Sequence, residues 1–160
     1  AKGFQDRKEN DKALKYLREA LAVEADPAKK ESLYAQIAII ELSTSNYTAA
    51  ATAARALHAI NPQNGYSYFV LGQCYASSSC SSDGIGGASV YWAAYDAMTQ
   101  AVDLLSHEPE VQKVARSLAG AYRSAFPTQE TCFFAELSAG QGYTVSCGFA
   151  SGKRTTVRYR

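Results

Sequence analysis

The sequence predicts a mostly α-helical fold with a small β-hairpin at its C-terminal end. Apolar residues recur at spacings of three and four through most of the chain, which places them on single helical faces. Asp, Ser and Pro stand where such runs begin, as capping and first-turn residues do. The last thirty residues change character and become rich in Tyr, Thr, Val and Phe, which suit strands.

In the first segment Ala13, Leu14, Leu17, Ala20, Leu21 and Val23 form one face of an amphipathic helix. Asp26-Pro27 supplies a cap and a first-turn residue for a second helix carrying Leu33, Tyr34, Ile37, Ile39 and Ile40, ending near Ser45-Asn46. A third helix is predicted from Tyr47 to Ile60, where Asn61-Pro62 interrupts it, and a fourth from Gly65. Ser77 to Gly87 reads as a loop, because a Ser cluster is followed by Gly84 and Gly86-Gly87. Ser89 is the expected cap of a fifth helix with Val90, Trp92, Ala93, Ala97, Ala101 and Leu104, and Pro109 opens a sixth that stops at Phe126-Pro127. A helical turn from Thr128 is followed by two predicted strands, 142–149 and 153–159, turning at Ser151-Gly152. Two strands alone are marginal in water, so this hairpin is expected to lie on the last helices as a cap.

At 160 residues, 47% of them hydrophobic, the chain is long enough to bury a core of its own. Sixteen basic against fifteen acidic residues leave a net charge of +1, which argues against nucleic acid as a partner. Residues 1–31 are densely charged, whereas from Ser32 to Val102 the only formal charges are Glu41, Arg55, Asp83 and Asp96. A neutral middle of this kind fits a surface covered by a partner, since charge is depleted in interface cores; it equally fits an ordinary solvated helix face. The uncharged run from Ala56 to Ser82 contains Asn61, Pro62, Gln63, Asn64 and a Ser cluster, so no membrane span is predicted. The charged opening segment reads as neither signal peptide nor anchor.

The segments also repeat. Tyr34, Ile37 and Ala38 followed by Tyr47, Ala50 and Pro62 recur as Tyr68, Leu71, Gly72, Tyr91, Ala94 and Ala101. This pattern resembles the tetratricopeptide repeat, with a period of about 34 residues. The resemblance implies a right-handed α-α superhelix of helix pairs over residues 1–127: a half repeat 1–26, a full repeat 27–64, a repeat with an insertion 65–107 and a capping helix 108–127, before the turn and hairpin of 128–160. Ala50 and Ala94 lie 44 residues apart, so the insertion is about ten residues long and coincides with the Ser/Gly loop. In the half repeat, Ala1 and Phe4 read as the end of a first helix, and Ala13, Leu17 and Ala20 as its second. Small residues such as Ala38, Ala50, Gly72 and Ala94 are expected where paired helices cross; Glu41, Ala54 and Leu57 depart from the family pattern. The closing stretch, including Cys132-Phe133-Phe134, Gly142-Tyr143-Thr144-Val145 and Thr155-Thr156-Val157-Arg158, is similar to the ending of exported Gram-negative bacterial members.

From the resemblance, the first helix of each pair lines a concave face, here Ser32, Ala35, Ile39 and Leu42, then Tyr66, Phe69, Gln73 and Ala76. The Lys, Arg and Asn with which some family members grip a peptide carboxylate are missing from these places. The expected function is a scaffold binding a protein or peptide in the groove, with Tyr66 and Phe69 as anchors; either residue alone would equally serve to pack against the next helix. The alternatives are a structural subunit held permanently in a cell-envelope assembly, and a non-catalytic piece of a larger enzyme.

Four cysteines, Cys74, Cys80, Cys132 and Cys147, allow three pairings, of which Cys74 with Cys80 and Cys132 with Cys147 is the most local. Pairing favours a periplasmic or otherwise exported protein, and buried free thiols are the competing reading. No CxxC occurs, and His58 and His107 stand apart, so neither a metal nor a cofactor is expected. Asp83-Gly84-Ile85-Gly86-Gly87 follows no strand and lacks the Lys-Ser/Thr ending of a phosphate loop. Glu41 has no second acid near it in sequence, and no catalytic constellation is expected.

Overall fold

Residues 5–23 hold no Gly or Pro and are rich in Lys, Glu, Arg, Ala and Leu, which favour helix. In the computed structural model, which describes residues 2–80 and 85–160, they belong to one continuous helix, α1 (Lys2–Val23). The break expected between Phe4 and Ala13 is therefore absent, since nothing in that stretch stops a helix. Leu17 is buried and Leu14 and Leu21 pack on the core, but Val23, expected on the same face, is 86% exposed at the helix end.

Asp26 caps α2 (Pro27–Ser43), its carboxylate accepting from the Ala28 amide at 3.0 Å. Left-handed Ser45 then turns the chain into α3 (Tyr47–Ile60), and Asn64 caps α4 (Gly65–Ala76) by accepting from the Tyr66 amide at 3.0 Å. Two further helices are α5 (Ile85–Leu104) and α6 (Pro109–Ser124). Connections of three or four residues follow α1, α2, α3 and α5, so those helices lie antiparallel to their successors. Each of α1 to α5 packs against the next, and α2 also reaches α4.

Helix α5 begins before its expected cap. Ile85, Gly86 and Gly87 are helical, although two helical glycines cost about 1 kcal/mol each. Burial outweighs that cost. Ile85 joins Trp92, Phe126, Cys132 and Val157 in a compact apolar cluster, and Ser89, buried inside the helix, donates to the Gly86 carbonyl at 2.8 Å. Of the rest of the predicted loop, Ser77 to Cys80 lie outside any helix as expected, and residues 81–84 lie outside the described residues.

The predicted crossing residues are buried: Ala38, Ala50 and Ala94 are wholly covered, and Gly72 is buried in α4. A Cβ on Gly72 would meet the Met98 methyl at 3.0 Å and the Ala94 carbonyl at 3.3 Å, so α4 and α5 approach as closely as a missing side chain permits. Glu41, a departure from the repeat pattern, is buried in an ion pair with Arg18 of α1 and accepts from Asn46 Nδ2 at 2.9 Å. The pairing explains why a carboxylate is tolerated there. Ala54 and Leu57, the other departures, are wholly buried.

Thr128 caps the short helix α7 (Gln129–Phe134), its hydroxyl accepting from the Thr131 amide. The hairpin follows with shorter strands than expected, β1 (Gly142–Thr144) and β2 (Arg154–Thr156), antiparallel with Tyr143 opposite Thr155. In place of the remainder of the first strand, residues 145–147 are irregular and a single 3₁₀ turn, Gly148–Ala150, follows. Gly148 has φ +66°, and a Cβ there would lie 2.3 Å from Ser78. The hairpin rests on α5 through β2, and the 3₁₀ turn packs on α4 and α5.

The disulfide corrects the most local pairing. Cys80 joins Cys147 across 67 residues, and Cys74 and Cys132 are free and buried. Cys74 faces the interior, its thiol donating to the Tyr47 carbonyl at 3.6 Å, while Cys132 lies in the Trp92 cluster. The fold, rather than proximity in sequence, brings Cys80 to the hairpin. A loop of this length is worth about 4 kcal/mol of unfolded-state entropy. The disulfide is compatible with an exported protein, and no described helix is long and apolar enough to cross a membrane.

Three outcomes follow from this packing. Gly72→Val should lower unfolding free energy by about 2 kcal/mol in urea titration, since the added methyls press on Met98 and the Ala94 carbonyl. The unfolded, unreduced chain should titrate two thiols, and peptide mapping should join the fragments holding Cys80 and Cys147. Burial pushes the Cys74 thiol up to about 11 and the Tyr122 phenol up to about 12. Both are acids that the fold keeps protonated. Their contribution to stability is present below pH 9 and is lost as pH rises from about 9 to 12, so the urea midpoint should fall across that window. Cys74→Ala should remove the fall between pH 9 and 10 and lessen it between 10 and 11, where Tyr122 still contributes.

Candidate functional site

Helices α2, α4 and α6 each turn one side toward a shared groove of about 690 Å³. Its presence follows from the alternation of the chain: α3 and α5 stand between these helices in sequence and carry much of the buried core. Helix α2 contributes Ser32, Ala35, Gln36, Ile39 and Ile40, α4 contributes Tyr66 and Phe69, and α6 contributes Glu110, Val111 and Val114.

Five of the eight positions expected on the concave face therefore come together: Ser32, Ala35, Ile39, Tyr66 and Phe69. Leu42, Gln73 and Ala76 do not line this groove. Leu42 and Ala76 pack against the core, and the Gln73 amide folds back along its own helix to donate to the Phe69 carbonyl at 3.2 Å. The α6 residues were missed because that helix reads as a terminal cap. Its signal lay in Val111 and Val114, two apolar residues at helical spacing, the second of which is 49% exposed.

The groove is apolar along its walls and acidic at one margin. Among its lining residues only Glu110 is charged. Glu108, the N-cap of α6, lies beside Tyr66; burial first, and then this carboxylate, raise the Tyr66 phenol above its ordinary value. Tyr66 is thus a neutral hydroxyl at the rim. The turn behind it is held by Glu31 of α2, whose Oε1 accepts from Asn61 Nδ2 and Asn64 Nδ2, each at 2.8 Å. These bonds set the start of α4, and hence Tyr66 and Phe69, against α2.

The remaining groups singled out in the sequence lie elsewhere. His58 is half-buried with its ring edge-to-face on Tyr68 at 5.3 Å, and His107 is exposed beyond α5. Among the described residues no group of three or more His, Cys, Asp or Glu is placed to hold a metal ion. None of the family models, curated proteins or solved structures compared with the chain matches it.

Proposed function

We propose that the chain is a non-catalytic, tetratricopeptide-type scaffold that binds a protein segment in the groove of α2, α4 and α6. One observation carries this reading: three helices from separate parts of the chain leave Ile39, Phe69, Val111 and Val114 around one open groove. Apolar lining that the fold leaves accessible in a concavity is where a partner's apolar side chains gain most by burial. The repeat pattern, the buried small residues at the crossings and the contact of α2 with α4 support a stacked array, the right-handed superhelix of the family. The preferred segment carries two or more apolar anchors for the walls and a Lys or Arg beside them to face Glu110 and Glu108.

A second reading, a subunit packed permanently into an envelope assembly, is favoured by Phe133 and Phe134. Both are more than 70% exposed on α7, their rings 6.0 Å apart, away from the groove. In that case the chain alone should self-associate in size exclusion, and Phe133→Ser with Phe134→Ser should return it to a monomer.

Selection of peptides from a random displayed library against the folded chain tests the groove. Enriched peptides should combine apolar anchors with a basic residue. They should bind Val114→Asp about tenfold or more weakly, a substitution at an exposed position that leaves the core untouched. Peptides that keep full affinity for Val114→Asp and for Phe69→Ala would remove the groove from the account.

A further inference from the structure

A separate cavity of about 410 Å³ opens between α3, α4, α5 and the hairpin, and it shares no lining residue with the groove. His58 and Tyr68 form an aromatic wall, Asp96 lies on the α5 side, and Lys153 and Arg154 reach in from the start of β2. The hairpin is therefore more than a cover: it brings two cations to a cavity the helices alone would leave neutral or acidic.

The charges there are unequal in availability. Asp96 is already satisfied, pairing with Arg158 at 2.8 Å and accepting from the Thr155 hydroxyl. Lys153 and Arg154 make no ion pair among the described residues. The third polar element is Tyr75, a side chain only 3% exposed that lines the same cavity. Its hydroxyl has no hydrogen-bond partner among the described residues, and the side chain borders the cavity. Burial raises the Tyr75 phenol, opposed in part by Arg55, and keeps it an O–H donor.

We propose that this cavity is a second binding site, for a small organic anion whose carboxylate or phosphate is held by Lys153, Arg154 and the Tyr75 hydroxyl while a ring lies along His58 and Tyr68. A nine-tenths-buried tyrosine and two cations, all without partners among the described residues, together with an aromatic wall in one concavity, favour an anion carried on a flat group. The volume is of the size that holds such molecules.

The test uses the intact chain, labelled with nitrogen-15 and titrated separately with phenyl phosphate, benzoate and, as a neutral counterpart, benzyl alcohol. At least one anion should give saturable amide shifts at residues 68–75, 96–100 and 153–154, and benzyl alcohol should bind more weakly. Their ratio tells phosphate from carboxylate. Lys153→Gln with Arg154→Gln, both exposed and so harmless to the core, should weaken the anion about tenfold. Tyr75→Phe should weaken it a few fold with the fold intact, whereas Val114→Asp in the groove should leave it unchanged. Absence of saturable binding by both anions, equal binding of benzyl alcohol, or wild-type affinity in the Lys153/Arg154 variant would each overturn the proposal.

Discussion

The indole of Trp92 is wholly buried, and its Nε1–H donates to the carbonyl of Arg158 at 2.9 Å. Arg158 answers in kind: its guanidinium donates to the Trp92 carbonyl at 3.3 Å, pairs with Asp96 at 2.8 Å and lies over the rings of Tyr95 and Phe126. A buried indole N–H without an acceptor is costly, so the C-terminal strand must be in place for α5 to bury Trp92. From this mutual requirement much of the architecture follows. The hairpin is anchored on α5, Tyr143 stacks edge-on against Trp92, and Val157 completes the apolar cluster that lets α5 begin at Ile85. The disulfide from Cys80 to Cys147 then fastens the other end of the hairpin to the segment after α4.

The helices were legible where local chemistry and packing agree. Asp26 and Pro109 mark helix starts by capping or by proline's fixed geometry, and α3 occupies the predicted span because Asn46 and Asn61-Pro62 bound an alanine-rich face that is buried. Packing overrode local chemistry at Gly86-Gly87, where glycines that signal a loop are held helical by Ile85 and Ser89. The disulfide was beyond reach for a similar reason. Sequence separation ranked Cys74 with Cys80 first, but the orientation of Cys74 into the core is a property of how α4 meets α3, which spacing alone does not encode.

Of the candidate groove, the contributions of α2 and of the start of α4 were legible, because helical periodicity locates a face. The contribution of α6 was hidden by its place after the last recognisable repeat, and Leu42, Gln73 and Ala76 lie outside this groove because periodicity extends a helical face beyond the stretch that borders one concavity. The second cavity had no sequence signal at all. Its cations lie more than fifty residues from its aromatic wall and meet it only once the hairpin has folded back. The two concavities thus differ in origin: one is the open side of stacked helices, the other is made by the anchoring of the C-terminal strand.

The most direct measurement of that anchoring is hydrogen exchange at the Trp92 indole N–H, compared with the backbone amides of α5. A shared core predicts that the indole exchanges only on global unfolding, with the same opening free energy as the α5 amides and the same denaturant dependence. An indole that exchanges early together with the amides of β1 and β2, while α5 stays protected, would show that the hairpin opens independently and would contradict the account.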